Sequence, residues 1–257
     1  MGSSNEIRWA FDINRPTGNF MRELASLIHN DIWISEQSND FATWFMFSSS
    51  HLNDLTDHGL IYDRAMKFKM LVDGYSFLIH EDKNAYSPIV LGKLYNEQNE
   101  VVHFEMKMKN RLFDFSYLTD AEGDSFKINA VSHLMALAAS QAYVRNILLI
   151  CSSGMDFTSL YKALDETKTY LKGKAGLETM GINTAALKRF THTVNNFESI
   201  GVDARHGNLG HDAPATPMTL PEAQVLITEI ISVVLKQHYD IHLPTVPDIR
   251  ITADDLF

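Results

Sequence analysis

Thr219-Leu220-Pro221-Glu222 opens a stretch that continues Ala223-Gln224-Val225-Leu226-Ile227-Thr228-Glu229-Ile230-Ile231-Ser232-Val233-Val234-Leu235-Lys236-Gln237-His238. Its start is a capping box. The Thr hydroxyl can accept from the amide three residues on, and the Glu there can reach back to the Thr amide. Pro221 stands in the first turn, where a missing amide hydrogen costs nothing. Leu226, Ile227, Ile230, Ile231, Val234 and Leu235 then recur at steps of three and four, a wide apolar stripe on one helix face. Working outward, the same periodicity recurs three times in the preceding hundred residues. Phe126 to Cys151 carries Ile128, Val131, Met135, Ala138, Ala142 and Ile147 along one side. Phe157 to Leu171 follows, with Asp156 at the N-cap position and Lys172-Gly173-Lys174 ending it. A third helix begins at Asn183 or Thr184 and carries Leu187, Phe190, Val194 and Phe197. Four amphipathic helices with short connections predict a helical bundle over 121–257.

Residues 1–120 read differently. Asn19 to Asn30 and Leu60 to Leu78 have helical spacing. Phe41-Ala42-Thr43-Trp44-Phe45-Met46-Phe47 fits a buried helix or a strand equally. At Pro88–Tyr95 and Glu100–Met106 the period shortens, and the intervening Asn96-Glu97-Gln98-Asn99 makes a β-hairpin. Arg111 to Tyr117 is a candidate third strand. Thr119-Asp120-Ala121-Glu122-Gly123-Asp124-Ser125 is a breaker-rich linker. The expected fold is α+β and mainly α, with a four-helix bundle preceded by a small mixed region containing a hairpin. The sequence leaves open whether 1–120 folds apart from 121–257 or shares its core.

Composition narrows the function. Of the 257 residues, 22 are Lys or Arg and 32 are Asp or Glu, a formal net charge of −10. A protein that coats nucleic acid without specificity carries the opposite field. The single Cys, Cys151, excludes an internal disulfide framework and a Cys-rich zinc site, and it suits a reducing compartment. Met1-Gly2-Ser3-Ser4-Asn5-Glu6 is polar, with no signal-peptide core, and the apolar run at Ile147–Cys151 is too short to span a bilayer. A cytoplasmic protein with no membrane partner is the expectation. No phosphate-cradling glycine loop and no serine elbow is present.

Chemistry concentrates between the third and fourth helices, in Gly201-Val202-Asp203-Ala204-Arg205-His206-Gly207-Asn208-Leu209-Gly210-His211-Asp212. Arginine is a permanent cation whose fork matches phosphate oxygens. Histidine exchanges a proton near neutral pH. Together they suffice for metal-free cleavage of RNA. His211 would move the proton of the 2′-hydroxyl or of the leaving 5′-oxygen, and Arg205 would stabilise charge on the phosphorus oxygens.

This segment resembles the HEPN superfamily (higher eukaryotes and prokaryotes nucleotide-binding). Its members are small helical bundles with an Arg-x4–6-His motif before the last bundle helix. The motif here is Arg205-His206-Gly207-Asn208-Leu209-Gly210-His211. His206 stands where the family often has a polar residue after the Arg. The resemblance covers about residues 121–257 and says nothing of 1–120. It implies a metal-independent endoribonuclease of a prokaryotic antiviral, abortive-infection or toxin–antitoxin system. It further implies catalytic roles for Arg205 and His211, with His206 or Asn208 assisting and no cofactor. The partners it implies are an RNA substrate, a second copy docked through the bundle so that two Arg/His pairs share a cleft, and an antitoxin or regulatory protein.

Other readings stand beside it. Arg205 could pair with Asp203 or Asp212, and His211 could orient the turn, leaving a non-catalytic dimerisation or partner-binding module, or a nucleotide-binding regulator. Residues 151–257 hold nine Lys and Arg against thirteen Asp and Glu. An RNA site there would need Lys172, Lys174, Lys188 and Arg189 to converge on the Arg205 loop with Asn208. His238 and His242 have helical i,i+4 spacing but lack the accompanying Glu of a metalloprotease helix, so no metal site is expected.

Overall fold

The computed structural model describes residues 7–14, 18–27, 32–83, 86–104, 130–205 and 212–244. The N-terminal part is an antiparallel sheet backed by two helices. In chain order it runs β1 (Ala10–Asn14), α1 (Gly18–Leu27), β2 (Ile32–Ser38), β3 (Thr43–Ser49), α2 (His58–Ile79), β4 (Val90–Tyr95) and β5 (Val101–Val102). The spatial order is β2-β3-β1-β4-β5. Every neighbouring pair is antiparallel, so β1 and β2 run parallel around β3, and β3 and β4 run parallel around β1. The helices α1 and α2 are the two crossovers. This is the double split β-α-β connectivity of ferredoxin-like sheets. The aromatic run at 41–47 is thus a strand. Phe45 and Phe47 are buried in the core while their neighbours alternate to the other face. The expected hairpin is present as β4 and β5. Its loop closes through Asn96 N–H to Glu100 O and Asn99 N–H to Asn96 O, with Asn99 in the left-handed region. The strand expected at 111–117 and the linker at 119–125 lie outside the described residues.

α2 holds the two parts together. Asp57 caps it, its carboxylate accepting from the Gly59 and Leu60 amides. Ile61, Ala65 and Phe68 form a one-sided stripe, but from Leu71 to Ile79 every residue is buried. A helix buried all round has partners on both sides. One side faces the sheet, where Tyr62 makes an edge contact with Phe11. The other side faces α4 (Ala142–Cys151), where a Cβ on Gly74 would stand 1.9 Å from the Leu148 carbonyl oxygen. One contiguous core therefore runs from Trp9 through α2 to Ile241, and the sheet shares it with the helical half.

Several polar groups at this buried end find partners locally, although the Tyr75 hydroxyl has none among the described residues. Lys83 Nζ donates to the carbonyls of Phe77 (2.7 Å), Leu78 (2.9 Å) and His80 (2.5 Å), closing the C-terminus of α2 with a cation. Asp73 accepts from the Ile89 amide at 2.8 Å and pairs with Lys69 at 2.7 Å, while Tyr86 Oη donates to the Asp73 carbonyl.

In the C-terminal part the helix expected over 126–151 is broken. α3 (Ala130–Ser140) and α4 are separated by Gln141, which is extended, and the two axes bend by 114°. Arg145 makes the break tenable, because its Nη1 donates to the freed carbonyls of Ala138 and Ala139. α5 (Phe157–Tyr170) starts on the Asp156 cap as expected. Gly173 at φ +105° reverses the chain, and an extra short helix, α6 (Lys174–Thr179), follows. α7 (Thr184–Val194) begins on Asn183 and stops short of Phe197. Asn196 instead caps a further turn, α8 (Phe197–Ile200). α9 (Leu220–Tyr239) has both halves of the capping box. The protein is α+β and mainly helical, and among the described residues no single helix is long and apolar enough to cross a membrane.

Gly74→Ala forces a methyl group into the Leu148 carbonyl. It is expected to lower the unfolding free energy by about 3 kcal/mol, seen as a fall in the urea midpoint. An unchanged midpoint would contradict the close crossing of α2 and α4.

Candidate functional site

The site is built on α7. Leu187, Phe190 and Val194 are buried, and Arg189 and His192 on the outer side meet the segment leading into α9. Arg189 is engaged there through most of its fork. Its Nε donates to Thr216 O (2.8 Å) and Nη2 to Pro217 O (3.0 Å), while Nη1 and Nη2 grip the Glu222 carboxylate at 3.1 and 3.0 Å. The same carboxylate accepts from the amide and hydroxyl of Thr219. These donors, the Thr219 amide first and Arg189 next, hold the Glu222 carboxyl down to about 2. Arg189, expected to contact RNA, thus clamps the start of α9.

The last turn of α7 ties down both ends of the loop that carries the motif. The Arg205 amide donates to Val194 O at 2.9 Å, and His192 Nε2 donates to Asp212 O at 3.0 Å. His206, Asn208 and His211 lie outside the described residues. Arg205 does not pair with Asp203 or Asp212. Its Nη1 donates to Tyr161 Oη at 2.8 Å, and its guanidinium carbon lies 4.3 Å from the centre of the Tyr161 ring. The side chain is exposed at the surface and, among the described residues, faces no carboxylate.

Tyr161 escapes a reading of the sequence. It is one half-buried aromatic on α5, 44 residues from Arg205, and no local spacing links the two. The exposed Lys162 beside it is likewise a cation that the motif does not name. Lys172 and Lys174 are exposed at the far end of α5. α5 runs nine residues, about 14 Å, beyond Tyr161 before Lys172 follows it, and Lys174 pairs with Glu178 at 3.3 Å. These two lysines therefore do not converge on Arg205. Lys188 is exposed, about 9 Å along α7 from Val194.

Of the remaining histidine pair, His238 serves packing, while His242 is exposed with its Nε2 4.0 Å from Asp240 Oδ1. His238 Nδ1 and Tyr170 Oη share a hydrogen bond of 3.0 Å, and Tyr170 stacks on Tyr143 with centroids 4.2 Å apart. Among the described residues no group of three or more His, Cys, Asp or Glu could hold a metal ion. Cys151 is fully buried, and burial pushes its thiol up to about 12, so it is no nucleophile.

The Arg189–Glu222 clamp has a signed pH dependence. Glu222 is held below the ordinary carboxylate range, so its contribution is whole above that range and is lost as pH falls toward 2. Glu222→Gln should lower Tm at pH 7 and leave it almost unchanged near pH 2, as followed by circular dichroism. An equal loss at both pH values would show that the charge contributes nothing.

No family model, no curated protein and no solved structure matches this chain.

Proposed function

We propose that this protein is a metal-independent endoribonuclease of the HEPN type, cytoplasmic, acting as an effector in prokaryotic antiviral defence or a toxin–antitoxin system. The observation that carries the reading is the placement of Arg205. It is exposed, it has no carboxylate partner among the described residues, and it lies on Tyr161 at the root of a loop whose two ends are fixed on α7. A cation held by an aromatic face keeps its charge for an incoming anion. A cation locked to a carboxylate, like Arg189, does not.

In this reading α3 to α9 contain a four-helix HEPN-like bundle. RNA lies across the loop with a phosphate on Arg205. His211 takes the proton of the 2′-hydroxyl, the 2′-oxygen attacks phosphorus, and the bond to the 5′-oxygen breaks. The 5′-oxygen leaves as a hydroxyl after receiving a proton, and a cyclic phosphate remains. Arg205 meets the charge that grows on the non-bridging oxygens. His206 and Asn208 assist, and Lys188 and Lys162 extend the contact to neighbouring phosphates. Pairing of two copies through the bundle would bring two such loops to one cleft, and an antitoxin or regulatory protein would silence it. A second reading has its own support. The same Tyr161 contact could be purely structural, making the loop part of a non-catalytic partner-binding surface.

Incubation with labelled RNA in excess chelator separates the two. The wild type should cleave. Arg205→Ala and His211→Ala should lose about 10²- to 10⁴-fold in rate while staying folded. Tyr161→Phe keeps the ring beneath the cation and removes only the hydroxyl, so a fall of about tenfold or less is expected. Cleavage that persists in His211→Ala, or a wild type that neither cleaves RNA nor arrests cells expressing it, would defeat the proposal.

A further inference from the structure

Tyr161 stands on a rigid base. Leu160, Ala163 and Leu164 lie around it on α5 and are all buried, so the core fixes its backbone. Arg205 is fixed at the main chain by the bond from its amide to Val194 O. The two side chains therefore meet from two anchored segments. Nη1 donates to Oη at 2.8 Å, and the guanidinium carbon lies 4.3 Å from the ring centre. The direction of that bond matters. A guanidinium only donates, so the phenol oxygen accepts from it and keeps its own hydrogen. Repulsion from the N–H turns that hydrogen away from the cation, and among the described residues it has no acceptor. Other tyrosine hydroxyls of the chain spend theirs internally. Tyr86 donates to the Asp73 carbonyl. Tyr143 meets Thr167 Oγ1, which itself donates to Ala163 O and so accepts from the tyrosine.

We infer that Tyr161 contacts the substrate: its hydroxyl donates to the same phosphate that Arg205 binds. This contact rests on the ribonuclease reading above and extends it to a residue of α5. A phosphate oxygen that takes the Nη1 hydrogen lies about 2.8 Å from that nitrogen. The hydroxyl is already 2.8 Å from the same nitrogen. An oxygen arriving on the open side of the pair is then within reach of both, and the three atoms form a triangle whose sides are each close to one hydrogen-bond length. Once displaced as the acceptor of Nη1, the hydroxyl turns its hydrogen onto the oxygen that displaced it. A hydrogen bond to an anion is stronger than one between neutral groups, and the donor brings no second charge to desolvate. Charge grows on the non-bridging oxygens as the 2′-oxygen attacks phosphorus. The contact therefore tightens toward the transition state, and its effect falls on rate more than on binding. The hydroxyl keeps its proton throughout, and proton transfer stays with His211.

Stereospecific sulfur substitution is the test. A linkage that the wild type cuts in labelled RNA is remade in three forms: the natural phosphate, and two phosphorothioates in which sulfur replaces one or the other non-bridging oxygen. Sulfur is a weaker hydrogen-bond acceptor than oxygen. The form that sets sulfur against Tyr161 should therefore be cleaved more slowly than its diastereomer. Rates are measured in excess chelator for the wild type and Tyr161→Phe, with circular dichroism and Tm showing that the variant folds. On natural RNA, Tyr161→Phe should lose about three- to tenfold in kcat with little change in KM. Without the hydroxyl to discriminate, the rate ratio between the two phosphorothioates should narrow by about threefold or more. A hydroxyl that only steadies Arg205 would instead lower all three rates by one factor and leave the ratio unchanged. That result, or a variant as fast as the wild type, would overturn the Tyr161 contact and leave the ribonuclease standing. A wild type that cleaves no RNA fails at the earlier step, and defeats the ribonuclease reading and this contact together.

Discussion

The crossing of α2 and α4 at Gly74 is the contact on which the rest of the structure depends. A helix–helix approach close enough to put a Cβ 1.9 Å from a carbonyl oxygen admits only glycine. It brings the α4 backbone against the one part of α2 that is buried on every side. The sheet packs on the other side of the same helix, so Phe11, Phe47, Leu148 and Ile231 belong to one core. Burial of each such side chain stabilises by roughly 1.5–3 kcal/mol. Gly74 therefore governs more stability than its own lack of a side chain suggests. The hairpin strands, α4 and, through α4, the helices that carry the motif loop are all placed relative to it.

Close packing at this end of α2 sets the electrostatics around it. Burial raises the Asp73 carboxyl to about 6, against the opposing pull of Lys69 and of the Ile89 amide. Burial also lowers the Lys83 ammonium to about 8. Both shifts have the same origin, the poor solvation of charge in a tight interior. Their linkage runs in one direction for each group. Asp73 binds its proton more tightly when folded, so its charging subtracts stability as pH rises from the ordinary carboxylate range through about 6. Lys83 holds its proton less tightly when folded, so its charging subtracts stability as pH falls from the ordinary lysine range through about 8. The compensation is structural. Lys83 satisfies three carbonyls at the helix end, and Asp73 fixes the chain entering β4.

Much of this was legible in the chain. Periodicity locates α1, α2, α5, α7 and α9 within a few residues, and the Asp156, Asn183 and Thr219 caps fall where side-chain chemistry requires. The failures have physical causes. β1 and β2 are five and seven residues long, too short for their alternation to stand out, even though Pro16 and Gly18 close β1. The break at Gln141 contains neither glycine nor proline. It exists because Arg145, inside the following helix, turns back to take up two carbonyls of the preceding one. Such a contact is visible only once the chain has folded. The sequence could point to Arg205 as a chemical group and to 201–212 as its loop. It could not supply Tyr161, because the partner comes from another helix.

Arg189 and Arg205 show how the fold divides one residue type between two tasks. Both are arginines within or just after the third helix of the sequence reading, and either could bind a phosphate. Arg189 meets a carboxylate that is itself held by a helix N-terminus, so its charge is neutralised and its donors are fixed. Displacing Glu222 would also uncap α9, and an anion would have to compensate for both losses. Arg205 meets a ring and a neutral hydroxyl. An incoming phosphate could replace that hydroxyl with two charge-assisted bonds and still leave the ring beneath the cation, so the exchange favours the anion. The clamp at Arg189 contributes indirectly. By fixing 216–222 against α7, it fixes the chain that returns from the motif loop. The negative charge of Glu222 is meanwhile held where a bound guanidinium masks it.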